Sequence, residues 1–331
     1  MISLKEELQQ LEIAERCHFR NLTLFPLLRR TALAEPDYVL LEDAILHGVA
    51  RITELSGGGS VPELRFENAC EWPVLLLDGE ELIGAKQNRV LNLTILAPPK
   101  HTLVIPVSCV EAGRWHMETP EFKLATHLMY SRARAARTAH VTESMRTSGA
   151  CRSDQSALWD ELALKAARVD AQSPTRAMSA MYERQALSVE GYARAFCWRE
   201  RQAGVAFAVG GQVLGLDLLD HCTTARRVFS KLVRSDAMDA LDAPQQRTDP
   251  ADRLALEEFL AHLMNSPMFS QPAVGLGKDI RLSGSEVAGA ALWAEDRYAH
   301  VCAFTTNGNS VTHRLRTRMN RPSHRVRDAG E

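Results

Sequence analysis

Twelve consecutive positions of this chain carry seven side chains able to do chemistry: Asp78, Glu80, Glu81, Lys86, Gln87, Asn88 and Arg89. They fall in the stretch L-D-G-E-E-L-I-G-A-K-Q-N-R, between apolar runs at Val74 to Leu77, at Val90-Leu91 and at Leu93 to Leu96. A charged cluster beside buried strands is costly without partners. It is therefore a binding site, a satisfied polar network or a solvated hairpin end. In an extended chain Asp78 and Glu80 share a face and Glu81 points away. Two carboxylates on one face can hold a hard cation such as Mg²⁺, or divide into general acid and base, with Glu81 as a third candidate. The plain alternative is a turn that carries acids for solubility.

Lys86, Gln87, Asn88 and Arg89 offer many donors in a small space, which suits phosphate or carboxylate recognition. The competing reading is an ion pair from Glu80 or Glu81 to Lys86 or Arg89 that only pins the hairpin. Such a pair stabilises by about 0–1 kcal/mol when exposed. The spacing is not the G-x-x-x-x-G-K-[ST] of a P-loop. Downstream, I-P-V-S-C-V-E-A-G-R-W at 105–115 adds Cys109, Glu111, Arg114 and Trp115. Arg114 can pair with Glu111 or a ligand anion, and Trp115 can stack on a flat ring or plug the core. Cys109 ends an apolar strand, where packing as a small hydrophobe is the first expectation and nucleophilic chemistry the second. Gln155 and Trp159 share a helical face at i, i+4. No His-rich cluster points to zinc.

The elements that must position these residues are short strands with few helix-length gaps, which favours antiparallel pairing. Strands are predicted at Phe19 to Leu28, Arg51 to Glu54, Glu63 to Asn68, Val74 to Leu77, Arg89 to Leu96 and Thr102 to Val110, with a short helix at Asp37 to His47. A helical insertion is expected from about 120 to 203. Its loop is at Ser144 to Asp154, with Asp154 as an N-cap. Gly210-Gly211 marks a hairpin between 205–209 and 212–216. Helices follow at Cys222 to Ala240 and Asp252 to Met264, then strands near Arg281, Val287 to Trp293 and His300 to Phe304. The fold class is α+β: a mainly antiparallel, sandwich-like sheet core with a helical insertion and further C-terminal helices and strands. One domain is expected over 1–311, followed by an Arg-rich tail over 312–331.

The 331 residues are 45% hydrophobic and 24% charged, with a formal net charge of -2, which argues against a protein built to hold nucleic acid. Arg132, Arg134, Arg137, Arg146 and Arg152 read as a solvated basic face with little aromatic interleaving. The seven cysteines have no C-x-x-C pair. With no apolar run near membrane-span length and no leader pattern, free thiols in the cytoplasm are expected.

The central motif, together with I-P-V-S-C-V-E-x-G-R-W, N-L-T-L-F-P-L at 21–27 and the later G-L-G at 275–277, resembles a family of proteins associated with ADP-ribosylglycohydrolases and rhodanese-like phosphatases. The resemblance covers most of the chain, except for the Arg-rich C-terminus. It implies a link to NAD and ADP-ribose chemistry and to enzymes that process ADP-ribose. The expected function is an enzyme, hydrolytic in type, acting on a phosphate-bearing nucleotide of the NAD or ADP-ribose class. Asp78, Glu80 and Glu81 would be its catalytic or Mg²⁺-holding acids. Lys86, Gln87, Asn88, Arg89, Glu111, Arg114 and Trp115 would hold the ligand, with Cys109 and Gln155 as further candidates. The alternative is a non-catalytic ligand-binding or partner module.

Overall fold

A computed structural model describes residues 2–30, 35–56, 58–243 and 249–306. The expected tail at 312–331 lies outside the described residues. In chain order the first elements are α1 (Leu4–Gln9), β1 (Leu11–Ile13), β2 (Cys17–Phe19), β3 (Leu22–Arg29), β4 (Val39–Leu40), α2 (Leu41–Leu46), β5 (Ala50–Glu54) and β6 (Glu63–Asn68). The motif region holds β7 (Val74–Leu76), β8 (Glu80–Gly84), β9 (Arg89–Leu91), β10 (Ile95–Ala97), β11 (Thr102–Cys109) and β12 (Phe122–Leu128). Helices α3 (Ser131–Ser148), α4 (Gln155–Arg168), α5 (Ser179–Arg184) and α6 (Ala186–Ala195) follow. The last part is β13 (Gln202–Val209), β14 (Gln212–Leu219), α7 (Cys222–Asp242), α8 (Arg253–Met264), β15 (Met268–Pro272), β16 (Lys278–Ser283), β17 (Val287–Ala294) and β18 (Arg297–Thr305).

The fold is α+β and mostly antiparallel, as expected. A nine-stranded sheet runs β1-β3-β13-β14-β18-β17-β16-β15, with β2 also on β3. Its central strands are buried on both faces. Val205, Phe207 and Val209 of β13 join Val228, Phe229 and Leu232 of α7 in one core, while Ala206 and Ala208 join Leu256, Phe259 and Leu263 of α8 in another. This explains why β13 is a nearly unbroken run of small and apolar residues rather than an alternating one.

A second sheet, β12-β8-β9-β11-β6-β5, carries the motif. In it Arg89 stands opposite Leu82 on one side and opposite Cys109 on the other, so the three share a face. Glu81 pairs with Val90 and projects to the opposite face. A small third sheet joins β10, β7 and β4, with β4 and β7 parallel.

Several expectations need correction. The insertion does not begin as helix, because 122–128 forms the edge strand β12 and the first helical residue is Ser131. Helix α3 continues to Ser148, through the first five residues of the expected loop. The segment 80–84, for which a solvated hairpin end was one of three alternatives, is a buried strand. Asp154 does cap α4, accepting from the backbone N–H of Ala157 at 3.0 Å.

Candidate functional site

The motif acids sit in a buried ionic network. Asp78 lies in the tight turn between β7 and β8 and is 1% exposed. Its two carboxylate oxygens accept from Arg134 Nε at 3.1 Å and Arg137 Nη2 at 2.6 Å. Arg134 in turn makes a two-point contact with Asp217 of β14, at 2.9 and 2.7 Å. His300 donates or accepts at both ring nitrogens, to Asp217 at 3.0 Å and to the Thr94 hydroxyl at 2.7 Å. Burial by itself would raise the Asp78 and Asp217 carboxyls. The guanidinium groups overcome that and hold both below the usual carboxylate range. Arg134 and Arg137 were expected on a solvated face; both are buried, because α3 turns them inward onto Asp78. Arg132, Arg146 and Arg152 are the exposed members of that set.

Glu80 accepts the Leu77 N–H at 3.0 Å, which closes the turn, and pairs with Lys231 of α7 at 3.2 Å. Glu81 pairs with His127 Nε2 at 2.7 Å, and the His127 ring stacks on Tyr182 with centroids 3.5 Å apart. The second oxygen of Glu81 is buried without a hydrogen-bond partner. The partners of Glu80 and Glu81 are therefore Lys231 and His127, and not Lys86 or Arg89. A divalent cation at Asp78 and Glu80 would meet Arg134, Arg137 and Lys231, so these side chains do not fit one. Asp217, His300 and Cys302 are close enough to suggest metal ligands. Arg134 already occupies the Asp217 carboxylate, and both His300 nitrogens are engaged.

The downstream half of the motif forms a separate group on the Arg89 face. Asn88, Glu111 and Arg114 are its frame. Arg114 donates to Glu111 at 2.9 and 2.6 Å, to Asn88 Oδ1 at 3.1 Å and to the Ala85 carbonyl at 2.7 Å. Burial works to raise the Glu111 carboxyl, but Arg114, Thr175 and the Asn88 N–H together hold it below its ordinary value. Gln87 donates to the Glu111 carbonyl at 3.0 Å and accepts from Arg89 Nη1 at 3.1 Å and from the Cys109 thiol at 3.2 Å. Gln155 grips the Cys109 backbone at both N–H and C=O, each at 2.8 Å, in the manner of a neighbouring strand. Cys109 is fully buried, and burial pushes its thiol up, away from thiolate chemistry.

Arg89 differs from every other member of this group. It is 0% exposed, yet Nε and Nη2, the two nitrogens of one guanidinium edge, have no hydrogen-bond partner. Among the described residues it forms no ion pair. The exposed ring of Trp115 stands over it, 5.7 Å from Cζ, and Lys86 Nζ is 5.3 Å from the same ring. Burial lowers the Arg89 pKa from its ordinary value. Lys86 reaches the Gly58 carbonyl at 2.8 Å. Glu54, at the end of β5, was not singled out in the sequence. Its Oε1 accepts from the Lys86 backbone N–H at 3.3 Å, and its Oε2 is buried without a partner. Alternation along β5 puts it on the buried side with Ala50 and Ile52, which is the signal that marks it.

A family model described as the ARG and Rhodanese-Phosphatase-superfamily-associated Protein domain matches residues 10–304. The chain belongs to that family. The family is associated with ADP-ribosylglycohydrolases and rhodanese-like phosphatases. Among curated proteins and among solved structures, nothing matches. Both halves of the motif lie inside the matched region. A cavity of about 300 Å³ lies elsewhere, lined by residues that include Arg132, Gln212, Phe259, His262 and Glu286, and it contains no motif residue. None of its lining polar side-chain atoms is buried without a partner. Among the described residues no helix is long and apolar enough to cross a membrane.

Proposed function

We propose that this protein binds a phosphate-bearing nucleotide of the NAD or ADP-ribose type at Arg89 and works alongside ADP-ribose-processing enzymes. Lys86 and Gln87 flank the phosphate position, and Trp115 offers a stacking face. One observation carries the reading: a buried guanidinium whose bidentate edge has no partner. Burying a charge costs several kcal/mol unless it is compensated, and a phosphate presents two oxygens at the spacing of that edge. Arg114 is not the anion holder in this reading, because Glu111, Asn88 and backbone carbonyls already use its donors. The family's association with ADP-ribosylglycohydrolases supports the nucleotide class.

Hydrolysis by Asp78, Glu80 or Glu81 is the second reading. The unpartnered oxygen of Glu81 beside His127 favours it. Against it, Asp78 and Glu80 are held by cations from α3 and α7. Thermal denaturation with and without ADP-ribose or NAD separates the two. A ligand at about 100 times Kd adds roughly 2.7 kcal/mol to stability. We expect that gain in the wild type, its loss in Arg89→Met and no consumption of ligand. Release of product that disappears in Glu81→Gln would transfer the site to the acids. No gain with any nucleotide would end the binding reading.

A further inference from the structure

Two buried, unpartnered groups of opposite character lie in the neighbourhood of the Trp115 ring. The bare Arg89 edge offers donors, and the bare Glu54 Oε2 offers an acceptor. Gly59 packs against the carboxylate and the indole. A Cβ placed there would stand 3.4 Å from Glu54 Oε2, 3.3 Å from the Trp115 ring and 3.0 Å from Lys86 Cδ. Trp115 is also the ring over Arg89, so the indole lies between the surroundings of the carboxylate and those of the guanidinium. The two charges do not pair with each other. Gln87 holds Arg89 by Nη1, and the Lys86 backbone holds Glu54 by Oε1.

We propose that Glu54 makes this site selective for a phosphate ester that carries a sugar hydroxyl beside its phosphate, as a ribose phosphate does. The proposal rests on the Arg89 reading. Such a ligand satisfies both orphans at once: phosphate oxygens accept from Arg89 Nε and Nη2, and the hydroxyl donates to Glu54 Oε2. Inorganic phosphate does not do this as well. It brings mainly acceptors, and the Glu54 carboxylate repels its charge. Glu54 therefore rejects a bare anion that Arg89 alone would accept, which is selectivity by a repulsive element. An amine beside the phosphate is the other donor chemistry that Glu54 could recognise.

Calorimetric titration with ribose 5-phosphate, inorganic phosphate and phosphoethanolamine tests this. In the wild type ribose 5-phosphate should bind at least ten-fold more tightly than inorganic phosphate, and more tightly than phosphoethanolamine. Glu54→Gln should shrink the first ratio to under three-fold, weakening ribose 5-phosphate while leaving inorganic phosphate equal or tighter. Glu54→Asp, which keeps the charge but draws it back, should weaken ribose 5-phosphate and still exclude inorganic phosphate; it serves if the glutamine variant fails to fold. An unchanged ratio in Glu54→Gln, with all binding lost in Arg89→Met, would overturn the role of Glu54 and leave the Arg89 reading standing. A wild-type preference for phosphoethanolamine would also overturn it. Failure of all three probes in the wild type, with ADP-ribose also silent, would remove both.

Discussion

Arg89 and Arg114 differ in fate, although both are buried and both belong to the motif. Arg114 spends its donors on one carboxylate, one amide and backbone carbonyls, and so becomes part of the scaffold. Arg89 keeps one edge bare under an exposed indole. A buried charge without a counter-charge lowers stability, whereas an apolar side chain of similar length does not carry that cost. Arg89→Met should therefore bind no nucleotide and yet be more stable than the wild type, by about 1–3 kcal/mol in urea denaturation. A scaffold residue gives the opposite sign. If Arg89→Met is destabilised, Arg89 is structural and the ligand site lies elsewhere.

The turn between β7 and β8 is the element that ties the motif to α3. Gly79 adopts φ of +86°, and a Cβ there would lie 2.9 Å from Arg134 Nε. Glycine is thus required twice, for the left-handed backbone and for the approach of the guanidinium. Gly79→Ala should lose about 2–4 kcal/mol, from backbone strain together with displacement of Arg134. Equilibrium unfolding reads this directly, and a loss below about 0.5 kcal/mol, the usual scatter of neutral surface changes, would show that the turn relaxes freely. The hairpin at Gly210-Gly211 and the cap at Asp154 were legible in the sequence because both are local devices. Strand β8 was not. E-E-L-I-G reads as polar, and nothing nearby in the chain announces that Lys231 and His127 will neutralise its acids.

Across the whole molecule, Arg134 links the motif sheet to the nine-stranded sheet, through Asp78 on one side and Asp217 on the other. Both carboxyls are held below their ordinary values, so the direction of the pH effect follows. Groups with depressed folded pKa values contribute stability above the unfolded value of about 3.9, and that stability is lost as pH falls through the folded values. The wild type should lose stability below about pH 4. Arg134→Met should cost about 3–5 kcal/mol at neutral pH by leaving two buried carboxylates under-compensated. It should also show a shallower further loss in acid, since less depression remains to be undone. A variant whose acid profile parallels the wild type would show that the two carboxyls do not depend on Arg134.

What the sequence determined by itself is the mostly antiparallel α+β character, most strands and helices, the hairpin turn and the concentration of chemistry at 78–89. Each of these is set by periodicity, capping or turn residues within a few positions. Tertiary structure alone decided which charges became scaffold and which stayed unsatisfied. The partners of Asp78 come from 56 and 59 positions away, and those of Arg134 include Asp217 at a separation of 83. A buried, paired carboxylate and a solvated one are the same letter. Only the packing of α3 and α7 against the sheets brings their counter-ions in, and among the described residues it leaves Arg89 and Glu54 without theirs.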